Sequence, residues 1–416
     1  MTLYDLIRSR IVLFDGSLKT LLEHRGATKP GECMELMSIT RPLDIFDAHV
    51  SHLNAGADIV CANTRGANEL RLSHFGLDNR TDELITSAIA LSREAVEQSG
   101  KSAFVAAPIG PTGELFLDDR RTPRLMYDSF CRQISAAAAA GADLLLIDSM
   151  NDLSEARLAL LAARASCKLP ILCSFTLEPD AHTYAGNPPE VLALVAQKLG
   201  ATMLGANCGL GPAELFPAFS LLNGQSAPPV FVLPNAEGSS PNSQLSPEAF
   251  ALEMLPYVHD GAAAIGGCCH ATPEHTRELR KLLDQHHGHA RQQTEQDEYI
   301  CSATKRLPLS ALDENAPIIA LDKRTAEQTQ QEIAALAATQ DIVHIDLVDW
   351  NGEEIRCFMQ DLLPQIGGTP LAFHINAAHQ ANAALFAYPG IAAVYAQGEA
   401  YRVLKAAARY GAEVVS

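Results

Sequence analysis

Short apolar segments alternate with amphipathic helical patterns along residues 1–283, and this alternation predicts an α/β fold built on parallel strands. Eight strand-and-helix pairs occupy roughly 280 residues, which is a usual size for a (βα)8 TIM barrel. A doubly wound open sheet is the alternative, but the regular repetition of eight pairs favours a closed sheet. A smaller α/β domain that resembles half a barrel is predicted to follow.

The strands are predicted from nearly continuous apolar segments, because parallel strands covered on both faces are buried throughout. Their predicted ranges are 11–17, 57–63, 103–110, 143–150, 170–176, 202–208, 229–235 and 262–269. Patterns such as DELITSAIALSREAVEQSG between them predict the outer helices. Glycine, which favours helix C-termini, precedes several of the strands. These glycines are Gly56, Gly141, Gly200 and Gly261.

Residues 284–316 interrupt the alternation. They are polar, lack a helical or strand period and include Pro308, so we predict a domain linker here. Residues 317–416 return to the alternation, with four strand-and-helix pairs and a final strand candidate, AEVVS, at 412–416. Four such pairs amount to half a barrel.

The charge of the chain limits its partners. The 49 acidic and 31 basic residues give a net charge of −18, so long-range electrostatics disfavour binding to nucleic acid and to anionic membranes. The N-terminus, MTLYDLIRSR, is charged where a signal peptide is apolar, and no apolar run reaches the length of a membrane span. We therefore expect a cytoplasmic protein with reduced thiols.

The carboxyl ends of the predicted strands carry polar and sulfur-containing residues. In a (βα)8 barrel these ends form the functional rim. The residues placed there are Asp15, Asn63, Thr64, Pro111, Asp148, Thr176, Cys208, Asn235, Cys268 and Cys269. This placement predicts one site at which groups from several strands converge.

Three of the ten cysteines lie between a strand end and a helix start. Cys208 ends the sixth strand, and the adjacent Cys268 and Cys269 end the eighth. Three thiolates and one open position are how a protein holds Zn²⁺ for chemistry on a fourth ligand. A disulfide framework is not expected in a chain of this length without a secretory signal. The other cysteines, interpreted as small buried apolar residues, are Cys33, Cys61, Cys131, Cys167, Cys173, Cys301 and Cys357.

The segments that carry these residues form specific motifs. They read DGSLKTLLEHRG, ANTRGANELRLSHFGL, APIGPTGEL, LLLIDSMNDLSEA, GANCGLGP, LPNAEG and GGCCHATPEH. Over 1–283 the chain resembles the homocysteine S-methyltransferase family, in particular the homocysteine-binding module of cobalamin-dependent methionine synthase. The resemblance implies that Cys208, Cys268 and Cys269 are zinc ligands and that the sulfur of homocysteine takes the open position.

The implied reaction is the methylation of homocysteine to methionine. A free thiol with a pKa of about 8.5 is mostly protonated at neutral pH and is a poor nucleophile. Coordination to Zn²⁺ deprotonates the thiol, so the reaction does not require a general base from the protein. The thiolate would attack an activated methyl group, and the thioether product is a weaker ligand that can leave.

In similar proteins, the amino-acid end of homocysteine is held by the Asp-Gly turn after the first strand and by an acidic residue after the fourth. The matching residues here are Asp15, Gly16 and Asp148, although the family more often has Glu at the last of these positions. Further substrate contacts are predicted at the same rim. They involve Ser17, Asn63, Thr64 and Asn235.

Residues 317–416 resemble the first half of the pterin-binding barrel that follows this module in methionine synthase, most clearly in ALFAYPGIAAVYAQGEAYRVLKAAARYGAEVV. The segments that would hold a pterin differ. ALDKRTAEQ stands where the family has Glu and Asn, DLVD replaces an Asp-Val-Asn run, and Asn376 replaces an Asp. We therefore predict that this domain does not bind folate and instead packs on the first domain or on a partner.

The methyl donor is inferred by exclusion. The truncated pterin-like domain suggests descent from a corrinoid-linked enzyme, so the donor we favour is methylcobalamin. The chain contains no DxHxxG pattern of a cobalamin-binding domain, so methylcobalamin would have to arrive on a separate corrinoid protein. S-methylmethionine is the second choice. Betaine is disfavoured because its quaternary ammonium is normally held by an aromatic cage, whereas the single tryptophan, Trp350, lies outside the barrel. The alternatives kept are a non-catalytic zinc-binding subunit of a methyltransferase complex and a thiol acceptor other than homocysteine.

Overall fold

The computed structural model describes residues 2–29, 31–114, 122–238, 243–286, 290, 298–313, 315–321, 326–347 and 350–415. Within these residues the N-terminal domain contains eight parallel strands, each lying inside one of the predicted segments. Strands β1 to β8 span Val12–Leu13, Ile59–Cys61, Phe104–Ile109, Leu144–Met150, Ile171–Phe175, Met203–Asn207, Val230–Leu233 and Ala264–Ile265.

The eight strands close into a barrel. Their order in the sheet is β1-β8-β7-β6-β5-β4-β3-β2, and a parallel bridge between Phe14 and Ile59 joins the two ends of that order. The N–H of Asp15 donates to the carbonyl of Ile59 at 3.0 Å, and the N–H of Asp58 donates to the carbonyl of Leu13 at 2.7 Å. The predicted (βα)8 barrel is therefore confirmed, and the open sheet is excluded.

Helices cover the outside of the barrel. In the described part of the chain, α1 to α12 span Leu3–Ser9, Leu18–His24, Met37–Thr40, Pro42–Ala55, Glu69–Ser73, Thr81–Ser99, Thr122–Ala139, Leu153–Ser166, Pro189–Lys198, Pro212–Gln225, Pro247–His259 and Pro273–Gln285. Gly56 ends α4 with a φ of 105°, as predicted for a glycine at a helix C-terminus. None of the described helices has both the length and the apolar character needed to cross a membrane.

The barrel interior is packed with apolar side chains. The rings of Phe14 and Phe231 stack there with their centroids 5.6 Å apart. The first helix, α1, covers the amino-terminal end of the barrel and buries Leu3, Leu6 and Ile7 against this interior cluster. Because one end is closed and the interior is filled, the carboxyl ends of the strands are left as the place for a site.

The predicted linker at 284–316 contains a short antiparallel hairpin. Its strands are β9 (Tyr299–Cys301) and β10 (Arg306–Pro308). The N–H of Cys301 donates to the carbonyl of Ile391, and the N–H of Ile391 donates back, so the hairpin packs with the C-terminal domain. Residues 287–289 and 291–297 lie outside the described residues. The division into 1–283, 284–316 and 317–416 stays a prediction.

The C-terminal domain is built on an open parallel sheet in the order β11-β12-β13-β14-β15. These strands span Ile318–Ala320, Val343–Asp346, Leu371–Ile375, Ala393–Ala396 and Glu413–Val415. The last of them forms within the AEVVS segment. Helices α13 to α16 span Ala326–Ala337, Gly352–Leu362, Ala378–Ala387 and Ala400–Arg409. Residues 322–325 and 348–349, which belong to the segments expected to differ from a pterin site, are outside the described residues.

The C-terminal domain packs against α8 and α9 of the barrel. Arg157 of α8 is buried, and its guanidinium donates to the carbonyls of Leu385 at 2.6 Å and Phe386 at 3.3 Å. These carbonyls lie in the last turn of α15, where a positive charge is favourable. Lys198 of α9 forms an ion pair with Glu413 of β15. The interface therefore combines a buried guanidinium with a charge pair.

Candidate metal centre and substrate site

Cys208 stands immediately after β6, where the chain turns toward α10. Its φ of 69° lies in the left-handed region, which residues other than glycine rarely adopt. Its N–H donates to the carbonyl of Leu233 at 3.0 Å, which ties the turn to the end of β7. Pro212 then begins α10, as the sequence predicts. The turn places Cys208 at the rim of the barrel.

Cys268 and Cys269 lie in the turn between β8 and α12. The N–H of Cys268 donates to the carbonyl of Pro234 at 2.8 Å, and the carbonyl of Cys269 accepts from the N–H of Ala236 at 2.8 Å. Both cysteines are thus anchored to the segment that follows β7. The end of β7, at Leu233, and the segment that follows it, at Asn235, also anchor the turn after β6.

The structure brings the three cysteines of these turns together. The Sγ atoms of Cys208, Cys268 and Cys269 all lie within 4.8 Å of one another, and those of Cys208 and Cys269 are 3.8 Å apart. In a tetrahedral site with Zn–S bonds of about 2.3 Å, the sulfur atoms are about 3.8 Å apart. The three thiols therefore fit a zinc ion with one position left for an outside ligand. Among the described residues, no other three His, Cys, Asp or Glu side chains converge in this way.

Hydrogen bonds within the cluster distribute its protons unevenly. The pKa of Cys208 is lowered to about 3, chiefly because Cys268 and then Cys269 donate to its thiolate. Interaction with Cys208 raises the pKa of Cys269 to about 11 and raises the pKa of Cys268 well above its usual value. A negative charge on Cys208 therefore disfavours ionisation of Cys268 and Cys269. Further thiolates would form only when a cation compensates the repulsion between like charges.

Asp15 is buried after β1 and accepts a hydrogen bond from the N–H of Cys61 at 2.8 Å. Burial raises the pKa of Asp15 to about 7, although the hydrogen bonds from Cys61 oppose this shift. The next residue, Gly16, donates its N–H to Nδ1 of His52 at 3.3 Å. A buried carboxyl group with this pKa is suited to a cationic ligand, which would favour the ionised form.

Asp148, near the end of β4, is already hydrogen-bonded by the protein. Nε of Arg65 donates to one carboxylate oxygen at 2.8 Å, and Nδ2 of Asn207 donates to the other at 2.5 Å. Ser149 adds a bond from its hydroxyl at 3.2 Å. The negative charge of this carboxylate is therefore balanced by the guanidinium of Arg65 in the absence of substrate.

The remaining predicted contacts have partners within the fold. Ser17 Oγ accepts from the N–H of Thr20 at the start of α2. Nδ2 of Asn63 donates to the carbonyl of Met34 at 2.6 Å, and the hydroxyl of Thr64 donates to the carbonyl of Pro108 at 2.8 Å. These bonds hold loops in place, and substrate contacts of the three side chains stay predictions.

Asn235 is buried at the end of the β7 segment. Its N–H donates to the carbonyl of Leu210 at 2.9 Å. Its Oδ1 has no hydrogen-bond partner in the described part of the chain. A buried acceptor without a partner is costly, so this oxygen is available to a ligand donor. The predicted substrate contact of Asn235 therefore stays a prediction with a physical basis.

Three polar residues near the cluster were not predicted from the sequence as site residues. Arg65 bonds Asp148, as described above. Glu237 accepts from Nε2 of His270 at 2.9 Å, and Nδ1 of His270 lies 2.9 Å from the amide nitrogen of Gln244. This pair joins the segment after β7 to the turn that holds Cys269. The only signal in the sequence was position, because Arg65 follows Thr64 and His270 follows Cys269 directly.

Comparison with known proteins finds relatives of the barrel domain. The sequence profile named homocysteine S-methyltransferase matches residues 12–283. Methionine synthase from Mycobacterium tuberculosis (strain ATCC 25618 / H37Rv) is 26% identical over 296 residues, covering 67% of this chain and 25% of that protein. Methionine synthase from Mycobacterium leprae (strain TN) is 25% identical, covering 67% of this chain and 24% of that protein. The chain therefore spans about a quarter of the length of these relatives.

Solved structures agree with the sequence comparison. The homocysteine methyltransferase MmuM from Escherichia coli in its oxidized form is 25% identical, with a TM-score of 0.58 over 67% of this chain and 98% of that chain. Its metallated form is 26% identical, with a TM-score of 0.57 over the same shares. The profile covers the barrel that carries the three cysteines. The chain belongs to the homocysteine S-methyltransferase family.

Proposed function

We propose that the barrel is a zinc-dependent S-methyltransferase that converts the thiol of homocysteine into the thioether of methionine. The observation that carries this proposal is the convergence of three sulfur atoms within 4.8 Å at the rim of the barrel. Three protein ligands suit a catalytic zinc, whereas a structural zinc is usually held by four. The family membership and the metallated form of the related MmuM structure support the same reading.

The residues that would hold the ion are Cys208, Cys268 and Cys269. When bound, Zn²⁺ would supply the positive charge that keeps an acceptor thiol deprotonated at neutral pH. The chain's own part is to position the acceptor. Asp15 offers a buried carboxyl group for its ammonium group, and Asn235 offers an amide oxygen without a protein partner. The filled barrel below the rim limits the approach of water from that side.

The methyl donor we propose is methylcobalamin carried by a corrinoid protein that docks on the rim. The relation to two methionine synthases supports this choice, and the chain matches only about a quarter of their length. The MmuM structure favours a second candidate, because that homocysteine methyltransferase is matched over 98% of its chain by only 67% of this chain. A small donor such as S-methylmethionine would suit such a self-contained barrel.

Betaine is a weaker candidate. Trp350 lies in the C-terminal domain, where its indole N–H donates to the carbonyl of Leu321 at 3.0 Å. It is therefore committed to the core of that domain and is not offered to a quaternary ammonium at the barrel rim. A betaine site would need a cage built from other aromatic residues.

Zinc content and homocysteine binding of the reduced, purified protein test the proposal. We expect one zinc per chain, and we expect Cys208→Ala to lose both the metal and the binding of homocysteine. Cys131→Ala, which changes a half-buried thiol outside the cluster, serves as the matched control and should keep both. Zinc without homocysteine binding would favour a non-catalytic subunit or a different thiol. Absence of zinc under reducing conditions would contradict the mechanism.

The donor is tested separately on the zinc-loaded protein. Methionine formation is measured with homocysteine and either a methylated corrinoid protein or S-methylmethionine. Turnover with the corrinoid protein alone would support the first candidate. Turnover with S-methylmethionine alone would replace it with the second.

A further inference from the structure

His270 directly follows Cys268 and Cys269 and has an unusual backbone conformation. Its φ of 65° lies in the left-handed region, which glycine adopts freely and other residues rarely. Its N–H donates to the hydroxyl of Thr20 at 3.0 Å, which ties the turn to α2. A strained conformation of this kind persists where the surrounding structure holds it. The imidazole ring supplies two further contacts that do so.

Both nitrogens of the imidazole ring have partners. Nδ1 lies 2.9 Å from the amide nitrogen of Gln244, and Nε2 lies 2.9 Å from a carboxylate oxygen of Glu237. An amide nitrogen can only donate, so Nδ1 accepts, and the ring proton on Nε2 is donated to Glu237. The neutral form of this one histidine therefore satisfies both partners.

Glu237 and Gln244 face each other in the loop that follows β7. They form an isolated antiparallel bridge, and in the same loop the N–H of Leu245 donates to the carbonyl of Ala236 at 3.1 Å. The ring of His270 thus bonds both sides of this loop from outside it. The three side chains of Glu237, Gln244 and His270 are called the His270 clamp below.

The His270 clamp supports the turn that carries two of the three sulfur atoms. Backbone hydrogen bonds from Cys268 to Pro234 and from Ala236 to Cys269, each 2.8 Å long, join that turn to the segment after β7. The clamp adds side-chain hydrogen bonds at the next residue along the chain. Cys269 therefore cannot move far from the other two sulfur atoms while these bonds are present.

We infer that His270 is a positioning residue that slows the loss of zinc by keeping Cys269 in place for the ion. The inference rests on the proposed function, because it takes the three cysteines as the zinc ligands. Groups that orient metal ligands typically change metal affinity by about 10- to 100-fold. The clamp acts one residue away from the ligand, and 36% of each of the His270 and Glu237 side chains is exposed. We therefore expect a smaller effect, of about 3- to 10-fold.

The experiment measures the rate at which excess chelator removes zinc from the reduced, zinc-loaded protein. His270→Asn should release zinc about 3- to 10-fold faster than the wild type, because asparagine tolerates the left-handed conformation but is too short to bond both partners. Glu237→Ala should also release zinc faster, whereas Glu237→Gln keeps an acceptor oxygen and should recover part of the wild-type rate. The double variant with His270→Asn and Glu237→Ala should be no faster than His270→Asn alone, because both changes break the same clamp.

His182→Ala is the matched control. His182 is also partly exposed and lies 3.6 Å from a carboxylate oxygen of Asp180, but it belongs to the loop after β5 and not to a turn that carries a zinc ligand. It should release zinc at the wild-type rate. Urea denaturation of the zinc-free proteins should give similar midpoints for His270→Asn and His182→Ala, because each loses a partly exposed pair.

Release of zinc from His270→Asn at the wild-type rate would overturn the inference. A double variant in which the two single effects multiply would overturn it as well, because the two residues would then act independently. Faster release together with a lower urea midpoint in zinc-free His270→Asn would leave His270 with a general structural role instead. All three results leave the proposed function intact. A wild-type protein that binds no zinc would contradict the proposed function and the inference together.

Discussion

The carbonyl oxygen of Ala271 occupies the space in which a side chain at Gly16 would begin. A Cβ at Gly16 would lie 2.5 Å from that oxygen and 2.9 Å from Cε1 of His52. The N–H of Ser17 donates to the same oxygen at 2.9 Å. The turn after β1 and the turn after β8 therefore meet through backbone atoms, which cannot move aside as the end of a flexible side chain would.

Gly16→Ala is expected to destabilise the barrel. The new methyl group must displace the backbone of Ala271 and the ring of His52, so the free energy of unfolding should fall by about 1–3 kcal/mol, as in other overpacked sites. Urea denaturation measures this change. Gly352→Ala is the matched control, because a Cβ at the start of α14 would find its nearest neighbours at 3.6 Å. The control should change stability by less than about 0.5 kcal/mol. Equal losses in both variants would contradict the steric argument.

Stability is expected to fall as the pH is lowered from about 6.5 to about 4. His49 and His52 of α4 are buried, and burial lowers the pKa of His49 to about 4 and of His52 to about 3. In the unfolded chain both would titrate near pH 6.5, as free histidines do. Below that pH the unfolded state binds more protons than the folded state, so the free energy of unfolding decreases.

Urea denaturation between pH 4.5 and pH 7.5 measures this dependence. His49→Gln should reduce it without abolishing it, because His52 still titrates. Glutamine can still bond the hydroxyl of Ser92, 3.1 Å from Nε2 in the wild type, but does not titrate. His24→Gln, at an exposed position in the last turn of α2, should leave the slope unchanged. A slope that is unchanged in His49→Gln, or one that decreases as much in His24→Gln as in His49→Gln, would refute the assignment.

Those parts of the fold that depend on burial could be predicted from the sequence. A strand covered on both faces needs a continuous apolar segment, and for this reason all eight barrel strands lie within predicted ranges. Their carboxyl ends share one rim in any closed parallel barrel, so the meeting of Cys208 with Cys268 and Cys269 follows from topology. The hairpin at 299–308 could not be predicted from burial or from barrel topology. Its two strands are only three residues long, and the second includes Pro308.

The polar neighbours of the site could not be predicted in the same way. The partner of Asp148 is Arg65, 83 residues earlier in the chain, and no periodic pattern links the two positions. The same holds for Glu237 and His270, which face each other across two separate turns. Polar side chains at a rim have no burial pattern that identifies their partners. Only the three-dimensional arrangement shows that Asp148 is already paired.

Arg157→Ala is expected to weaken the packing of the C-terminal domain against the barrel without affecting the metal centre. The pKa of Arg157 is lowered to about 10 by burial, so the guanidinium stays charged at neutral pH and depends on the carbonyls of Leu385 and Phe386. Losing it leaves those buried carbonyls without a donor, at a cost of about 2–4 kcal/mol for the interface. Hydrogen exchange of residues 371–396 measures the loss of protection.

The matched control for this prediction is Arg164→Ala. Arg164 lies on the same helix and donates to the carbonyls of Lys198 and Ala408, but at an exposed position. Its loss should increase exchange much less, because water can replace it. Zinc content should be the same in both variants. Similar exchange in the two variants would mean that the buried guanidinium does not hold the interface.

Asp15→Asn is expected to change both the affinity for homocysteine and the number of protons released on binding. With a pKa of about 7, Asp15 is partly protonated in the free protein, and the arriving ammonium group favours its ionised form. Binding should therefore release a proton from Asp15 in addition to the thiol proton when the pH is below about 7. The affinity for homocysteine should rise as the pH is raised toward about 7. Above that pH, the ionisation of Asp15 should contribute little to the pH dependence of the affinity.

Calorimetry at pH 6.5 in buffers of different ionisation enthalpy counts the protons released. Asp15→Asn should weaken homocysteine by about 10- to 100-fold, the effect of one hydrogen bond to a charged group, and should remove the Asp15 part of the proton release. Asp143→Asn is the control, because its carboxylate bonds Arg93 and the N–H of Val105 at the opposite end of the barrel. It should leave the proton count unchanged. An unchanged proton count in Asp15→Asn would show that the ammonium group of the substrate is bound elsewhere on the rim.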